Sequence, residues 1–92
     1  MNKRELVDRV AGVTNETKGT VGDVIDATLD AITKALTGGE KVQLTGFGTF
    51  EARDRKQRMA RNPRTGATVF VPAQKQPAFK AGKGLKDAVN FR

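Results

Sequence analysis

The chain lacks cysteine, histidine, tryptophan and tyrosine altogether, although it has 92 residues. Without cysteine, neither a disulfide framework nor a thiolate metal site can form. Without histidine and cysteine, the common nucleophile–base pairs and zinc sites are excluded as well. No apolar run approaches the length needed to span a membrane. These absences disfavour an enzyme, and no metal ion or cofactor is predicted.

Two features resemble phosphate or metal sites only in part. A phosphate-binding loop would need glycine where Pro77 stands and serine or threonine where Gly84 stands. Asp23, Asp26 and Asp30 fall within about 60° of one another on a helix that turns 100° per residue. They form either a weak chelate for a hard cation or a solvated acidic face, and the second interpretation is favoured. An acidic face would be turned away from a polyanionic ligand.

Aromatic residues are scarce, since five phenylalanines are the only ones and hydrophobic residues make up 37% of the chain. A domain of this length buries a modest fraction of its surface. Such a chain is either marginally stable or completes its core by pairing with a second copy, and pairing is predicted here. The predicted dimer core consists of Phe47, Phe50, Phe79, Leu29, Ile32 and Leu36.

Positive charge dominates the chain and is unevenly distributed. The formal net charge is +7. Residues 1–40 hold five cations against seven carboxylates, whereas residues 41–92 hold twelve cations against three carboxylates. A basic half of this kind indicates a polyanionic partner, either a nucleic acid or an anionic membrane.

A first helix is predicted to begin at Lys3, because Asn2 and Glu5 have the spacing of a capping box. Apolar residues then recur at helical spacing until the pattern fades near Asn15. The chain enters this amphipathic pattern without the apolar segment of a signal peptide, so a cytoplasmic protein is expected.

A second, longer helix is predicted after Thr17, a residue suited to the N-cap position. Gly38 and Gly39 are predicted to end it. One broad apolar face over about five turns is formed by Val21, Val24, Ile25, Thr28, Leu29, Ile32, Ala35 and Leu36.

From residue 41 onward the hydrophobic period is two, which predicts strands. One strand covers 41–45, and a second covers 49–53 beyond a turn at 46–48. The returning limb contains Pro72 and Pro77, which restrict it to the edge of a sheet. A last short helix is predicted over 83–90, with a buried face formed by Leu85, Ala88 and Val89.

The stretch RDRKQRMARNPRTG, residues 53–66, contains six cations, one carboxylate and no apolar side chain larger than Met59. Asn62 and Pro63, with Gly66 just beyond, suit a turn. The stretch and the limb that returns from it therefore predict a long hairpin over about 53–76, here called the arm. The limb over 53–61 would extend ~30 Å at ~3.3 Å per residue, which is enough to reach around a duplex.

The composition of the arm favours double-stranded DNA as the partner. Five of the six cations are arginines, which suit phosphates and narrow minor grooves. Pro63 is a compact apolar ring flanked by cations, the kind of side chain that enters a base step from the minor groove. Taken alone, Pro63 is better explained as an ordinary turn former, and only the surrounding arginines favour insertion into a base step.

Three other interpretations of the arm are weaker. A mobile loop kept for solubility explains neither the preference for arginine nor the rigid tip. An anionic membrane would require an amphipathic helix with a basic polar face, whereas both long helices have acidic or mixed polar faces. Single-stranded nucleic acid would require aromatic residues among the cations, and the arm offers only Phe70.

The spacing of these residues resembles the signature of the bacterial histone-like HU proteins, of the HU and integration host factor family. The matching segment has GFGTF at 46–50, followed by Arg55, Arg58, Ala60, Asn62, Pro63 and Thr65. The resemblance covers the full chain, from MNK at 1–3 through KVQL at 41–44 to PAF at 77–79 and LKDAV at 85–89.

This resemblance implies an α+β fold, namely an intertwined dimer with a helical base, an antiparallel β-saddle and two long β-hairpin arms. Residues 1–40 would then form the helical dimerisation part. Residues 41–81 would form the β-saddle together with the arm, and residues 82–92 a C-terminal helix.

The resemblance also implies a nucleoid-associated cytoplasmic protein that binds duplex DNA through the minor groove with little sequence specificity, bends it and compacts it. The intercalating residue would be Pro63, with Asn62 beside it. The DNA-binding residues of the arm would be Arg53, Arg55, Lys56, Arg58, Arg61, Arg64 and Lys75. The phosphate contacts of the body would be Lys3, Lys80, Lys83 and Lys86.

The sequence leaves several alternatives open. One is a site-specific DNA-bending factor of the integration host factor type, which generally has a longer C-terminal end than residues 90–92 provide. The second subunit can be another copy or a paralogue, and the ligand can also be nicked, bent or junction DNA, or RNA. Two positions depart from the family pattern, Ala60 where glycine is common and Phe70 where a polar residue is expected.

Overall fold

The structure, a computed structural model, describes residues 1–90. The elements are α1 (Lys3–Thr14), α2 (Lys18–Thr37), β1 (Val42–Leu44), β2 (Gly48–Arg55), β3 (Arg58–Arg61), β4 (Thr68–Val71), β5 (Gln74–Ala81) and α3 (Lys83–Val89). The predicted α+β fold is confirmed. Residues 91 and 92, which belong to the predicted C-terminal segment 82–92, lie outside the described residues. The chain forms two compact units, residues 1–34 and residues 35–92.

Both long helices begin and end where the sequence predicts. The Asn2 side chain accepts a hydrogen bond from the backbone N–H of Glu5 at 2.9 Å, and Asn15 follows the helix in the left-handed region at φ 62°. The Thr17 hydroxyl oxygen accepts from the backbone N–H of Thr20 at 3.1 Å. Gly39, at φ 82°, ends α2. The first backbone N–H groups of a helix have no partner within the helix, and these two side chains each accept a hydrogen bond from one of them.

Buried apolar side chains are few within residues 1–90. Ala11 and Val21, in the first unit, are 6% and 5% exposed and are the hydrophobic residues that count as buried. Val13 and Leu29 are far more exposed, at 82% and 51%. Because the apolar faces of α1 and α2 extend well beyond this small core, one copy of the chain leaves much of them in contact with water.

In the second unit, three strands form an antiparallel sheet in the order β1-β2-β5, here called the base sheet. Phe50 of β2 lies opposite both Val42 of β1 and Phe79 of β5. The rings of Phe50 and Phe79 are 4.8 Å apart, and those of Phe47 and Phe79 are 5.6 Å apart, so the three phenylalanines form one aromatic cluster. As predicted, Pro77 lies on an edge strand, where no ladder hydrogen bond is lost.

The second strand is longer at both ends than the sequence-based prediction. The second strand, predicted over 49–53, begins at Gly48 and extends to Arg55. Gly48 pairs with Ala81 of β5, and a Cβ at position 48 would lie 2.6 Å from Cε1 of Phe79 and 2.8 Å from the Lys80 carbonyl oxygen, so the close approach of β5 requires glycine there. The turn before it is centred on Gly46, at φ 84°. Gly46 is therefore required by the turn, whereas Gly48 is required by the packing of Phe79.

The arm is a hairpin, as predicted, but its ladder is interrupted. β3 and β4 form a separate two-stranded sheet, in which Arg58 lies opposite Val71 and Arg61 opposite Thr68. Between this sheet and the base sheet, residues 56–57 and 72–73 are not in strands. The register nevertheless continues unchanged across the gap. Arg55 pairs with Gln74 before it, and three residues further along each strand Arg58 pairs with Val71.

The C-terminal helix is present, but its predicted buried face is wrong for a single copy of the chain. Leu85 is half-buried, whereas Ala88 is exposed and Val89 is 74% exposed. A helix of seven residues offers one short apolar side, and within residues 1–90 nothing covers that side at Ala88 and Val89.

Candidate nucleic-acid interface

The tip of the arm is a four-residue loop, residues 63–66. The backbone N–H of Asn62 donates to the Ala67 carbonyl oxygen at 2.8 Å, and that of Gly66 donates to the Asn62 carbonyl oxygen at 2.7 Å. Gly66 adopts φ 74°, a left-handed conformation that glycine adopts without steric cost. Four-residue hairpin loops of this kind hold the strands in register, so the tip has a defined shape.

Asn62 shapes this loop through its side chain. Its Oδ1 accepts a hydrogen bond from the backbone N–H of Arg64 at 2.8 Å, an arrangement in which asparagine stabilises the turn that follows it. Asn62 is half-buried, whereas Pro63 and Arg64 are exposed. The predicted DNA-contacting residues at the tip therefore divide into a loop-shaping residue, Asn62, and an exposed pair, Pro63 and Arg64.

The polar face of the base sheet lies opposite the aromatic cluster. Side chains alternate between faces along a strand, so Arg53 and Arg55 of β2 share a face with Gln76 and Lys80 of β5 and lie opposite Phe50 and Phe79. Three of the predicted DNA-binding residues, Arg53, Arg55 and Lys80, are thus brought together on one face.

Glu51 fixes the position of Arg53 on the polar face. Its carboxylate accepts from Nε of Arg53 at 3.1 Å and lies 3.5 Å from Nζ of Lys41. The hydrogen bond from Arg53 is the main reason that the pKa of Glu51 is lowered, and the charge of Lys41 adds to it, while partial burial acts in the opposite direction. Glu51 therefore remains ionised and offsets one positive charge in this region.

Arg55 is held by a neutral partner instead. Its Nε donates to Oε1 of Gln76 at 2.7 Å, across the ladder from β2 to β5. A neutral amide orients the guanidinium without cancelling its charge. Arg55 therefore keeps its full electrostatic attraction for an anion.

The interruption shifts the hydrogen-bond alternation of the arm by one residue. In an antiparallel ladder, hydrogen-bonded and non-hydrogen-bonded pairs alternate, and side chains of the hydrogen-bonded pairs share one face. Gly82 N–H donates to Phe47 at 2.8 Å at one end, and Asn62 N–H donates to Ala67 at 2.8 Å at the other. Phe47 and Asn62 thus both belong to hydrogen-bonded pairs, although an odd number of positions separates them. Strict alternation allows this only for residues an even number of positions apart, so the alternation shifts by one residue within the arm while the register stays the same.

This shift places Arg58 on the same side of the ribbon as Arg55, even though the two are three residues apart. Simple alternation would have put them on opposite faces. A groove of about 550 Å³ at the interruption agrees with this placement. It is lined by Arg55, Lys56, Gln57, Arg58, Val71, Gln74 and Gln76. The lining, here called the arm groove, contains three cations, three amides and no carboxylate.

Two predicted DNA-binding residues lie on the other side of the ribbon. Lys75 lies opposite Asp54 in register, on the face that also bears the aromatic cluster. Arg61 alternates with Arg58 and therefore shares a face with Met59 and its partner across the arm, Phe70. The predicted cations of the arm therefore lie on both faces, with Arg53, Arg55 and Arg58 on the face of the arm groove.

The remaining predicted phosphate contacts are exposed. Lys83 and Lys86 are three residues apart on α3 and so lie on one side of that helix. Lys3 belongs to the first unit, where its ammonium forms an ion pair with the Asp26 carboxylate. This ion pair offsets the charge of Lys3.

Two of the three acidic residues of α2 are paired with cations on the surface. Asp26 pairs with Lys3, and Asp30 lies 2.9 Å from Nζ of Lys34. Within residues 1–90, no group of three potential metal ligands comes together. The helices of the same range include none that is both long and apolar enough to cross a bilayer.

Sequence reasoning missed the residues that orient the arginines. Gln76 holds Arg55, and Glu51 holds Arg53. A period-two count from Arg53 would have placed Glu51 on the same face, but the partners on β5 depend on the register. The shift at the interruption has no local sequence signal apart from Pro72.

Both the sequence and the fold match known DNA-binding proteins. The family model described as bacterial DNA-binding protein matches residues 1–90. The DNA-binding protein HU of Staphylococcus aureus and that of Geobacillus stearothermophilus are each 53% identical over 89 residues, which cover 97% of this chain and 99% of each relative. An Anabaena HU–DNA cocrystal structure is 46% identical with a TM-score of 0.92 and covers 100% of both chains. HU from Thermotoga maritima is 39% identical with a TM-score of 0.70, covering 98% of this chain and 100% of that one.

Proposed function

The chain belongs to the family of bacterial DNA-binding proteins, and on that premise we propose that it is an architectural protein that binds duplex DNA with little sequence preference and bends it. The single observation that supports this function best is the arm, a cationic hairpin that ends in an exposed proline. The Anabaena relative, which was crystallised with DNA, supports the same function.

Affinity comes mainly from neutralising phosphates. Residues 53–76 contain seven cations and one carboxylate. Each neutralised phosphate releases condensed counterions, a gain that does not depend on base sequence. The residues proposed to contact DNA are Arg53, Arg55, Lys56, Arg58, Arg61, Arg64, Lys75, Lys3, Lys80, Lys83 and Lys86. Because their charge acts on the backbone, binding has little sequence preference.

Bending comes from the tip. Pro63 is exposed on a loop whose shape is fixed by Asn62 and Gly66. We propose that its ring enters a base step from the minor groove and partly unstacks it, which kinks the duplex. The added contact between the kinked duplex and the cationic arm offsets the cost of unstacking. Steps that are already flexible or nicked should therefore be preferred.

A dimer is proposed as the functional form. Phe47, Phe79 and Leu29 are 47%, 42% and 51% exposed in one copy, which is a large exposure for residues of an expected core. A second copy would cover them and supply a second arm, so that the duplex is held at two positions. The homodimer is the simplest assembly, and pairing with a paralogue would use the same surface.

The relatives are named as DNA-binding proteins, and we infer a non-enzymatic protein associated with the nucleoid in the cytoplasm. A site-specific factor of the integration host factor type is the alternative. The names of the relatives and the absence of carboxylates in the arm groove favour phosphate binding over base recognition.

One binding experiment tests this function. Dissociation constants would be measured for a random-sequence duplex, a nicked duplex and a four-way junction at several salt concentrations, with bending followed by energy transfer between the duplex ends. We expect a steep salt dependence, with about −0.9 in log–log slope for each phosphate contacted, and similar affinity for unrelated sequences. Affinity confined to one sequence would favour the site-specific alternative, and no binding to any duplex would contradict the function.

A further inference from the structure

The arm groove contains a pair of arginines and a glutamine whose geometry suggests a specific role. Resting on the proposed function, we propose that Arg55 and Arg58 together bind one phosphate of a DNA strand at the interruption of the arm, and that Gln76 is the positioning residue that orients Arg55 for it. This role concerns where the DNA backbone crosses the arm, behind the proline tip.

The first argument is the orientation of Arg55. Its Nε donates to Oε1 of Gln76 at 2.7 Å. With Nε engaged, the two Nη nitrogens can donate in parallel to two phosphate oxygens, the bidentate geometry that arginine favours. A long side chain that is already held loses less conformational freedom when it binds. Gln76 thereby increases affinity without touching the ligand.

The second argument is the position of Arg58. The shift in hydrogen-bond alternation puts Arg58 on the same side of the ribbon as Arg55, and both line the arm groove. Without that shift, residues three apart would lie on opposite faces and could not bind one phosphate. The interruption therefore brings two guanidinium groups to one site that a regular hairpin would keep apart.

The third argument is the chemistry of the lining. Lys56 adds a third cation, and the other polar residues are the amides of Gln57, Gln74 and Gln76. No carboxylate lines the groove, so a bound anion meets no repulsion there. By contrast, Arg53 outside the groove is paired with Glu51. The groove therefore presents three cations to a bound anion without a carboxylate among its lining residues.

The experiment compares Gln76→Leu with a matched control, Gln74→Leu, in the full-length protein. Gln74 lies opposite Arg55 in register and lines the same groove, but it is Gln76 that accepts from Arg55. Affinity for a random-sequence duplex would be measured at several salt concentrations, and thermal unfolding would confirm equal folding. We expect Gln76→Leu to weaken binding roughly two- to tenfold, the cost of ordering one long side chain, and Gln74→Leu to weaken it much less.

A double-mutant cycle then tests whether Gln76 acts through Arg55. In the Arg55→Ala background, Gln76→Leu should have no further effect on affinity. Arg55→Ala alone should reduce the log–log salt slope by about 0.9, and Gln76→Leu by less, since it removes no charge. Additive losses for Gln76→Leu and Arg55→Ala would overturn the positioning role, as would a loss in Gln74→Leu as large as that in Gln76→Leu.

A second cycle tests the shared phosphate. Arg55→Ala and Arg58→Ala should be non-additive, because either change already disrupts the common site. Arg55→Ala and Arg61→Ala should be additive, because Arg61 lies on the opposite face of the ribbon. Additivity in both pairs would overturn the two-arginine site. If the unmodified protein binds no duplex, the proposed function fails instead, so the two failures are distinguishable.

Discussion

At the scale of single residues, exposed side chains and their immediate partners determine what the arm can do. Pro63 is exposed at a tip whose conformation is set by hydrogen bonds of Asn62 and Gly66 and not by Pro63 itself. Proline also has a fixed φ near −65°, which leaves it little freedom to lose on insertion. Loop shape and insertion can therefore be separated by mutation.

Pro63→Ala should keep the fold and most of the salt-dependent attraction, because no cation is removed and Asn62 still caps the loop. The bend angle should fall, since alanine is too small to hold a base step open. Energy transfer across an end-labelled duplex measures this directly. The preference for nicked DNA should shrink in parallel. A variant that bends DNA as sharply as the parent would show that Pro63 serves only to form the turn.

The contribution of Glu51 to the stability of the folded protein is expected to depend on pH. Because the Arg53 hydrogen bond lowers its pKa in the folded protein, its contribution is fully present above the unfolded pKa, about 4.3, and is lost as the pH falls through the lower folded value. The midpoint of thermal unfolding of the parent should therefore exceed that of Glu51→Gln by a constant amount above about pH 5. The difference should narrow as the pH falls below the unfolded pKa and through the lower folded pKa of Glu51. A difference that did not change with pH in this acidic range would contradict the role given to the ion pairs.

At the scale of elements, the arm is stabilised by cross-strand pairs rather than by a core. Met59 and Phe70 lie directly opposite each other and are 63% and 58% exposed. Phe70, where the family pattern suggests a polar residue, therefore has an apolar residue opposite it in the ladder. Apolar cross-strand neighbours of this kind contribute to the stability of a two-stranded ribbon, which is marginal by itself.

Phe70→Ala should destabilise the β3–β4 hairpin by roughly 0.2–1 kcal/mol while leaving the base sheet unaffected, because the interruption separates the two ladders. Amide hydrogen exchange would show faster exchange over 58–71 and unchanged exchange in the base sheet. Val69→Ala is a matched control on the opposite face of the same strand. Equal effects of the two changes would mean that general strand propensity, and not the Met59–Phe70 pair, stabilises the hairpin.

At the scale of the whole molecule, the exposure of apolar residues is the dominant feature. Ala11 and Val21 are the buried hydrophobic residues of the described chain, while three phenylalanines form a cluster that remains in part exposed. A chain with so small a core is stabilised by association, because each Å² of apolar surface removed from water contributes about 25 cal/mol of favourable free energy.

The unmodified protein should therefore be a dimer whose unfolding midpoint rises with protein concentration, since mass action favours the associated form. Phe47→Ser should lose both association and stability, because Phe47 is 47% exposed in one copy and contacts the ring of Phe79. Sedimentation equilibrium combined with thermal unfolding at several concentrations checks this. A monomer with a concentration-independent midpoint would contradict the proposal.

Local signals predicted most of the fold. The caps at Asn2 and Thr17, the stop at Gly39 and the turn before Gly66 all depend on hydrogen bonds or dihedral angles within a few residues, and each is confirmed. The edge position of Pro77 followed in the same way from its missing N–H. For a single copy of the chain, the buried face of α3 was predicted wrongly at Ala88 and Val89, because burial depends on what covers a helix and not on its own period.

Neighbouring residues specify the elements, the basic hairpin and its proline tip, because charge, capping and turn chemistry are local properties of the chain. Which side chains lie beside one another depends on the three-dimensional fold. The pairing of Arg55 with Gln76 joins residues far apart in the chain, and the placement of Arg58 beside Arg55 depends on a shift in the ladder. Register is set by long-range pairing between strands, and a change of one residue moves a side chain to the other face.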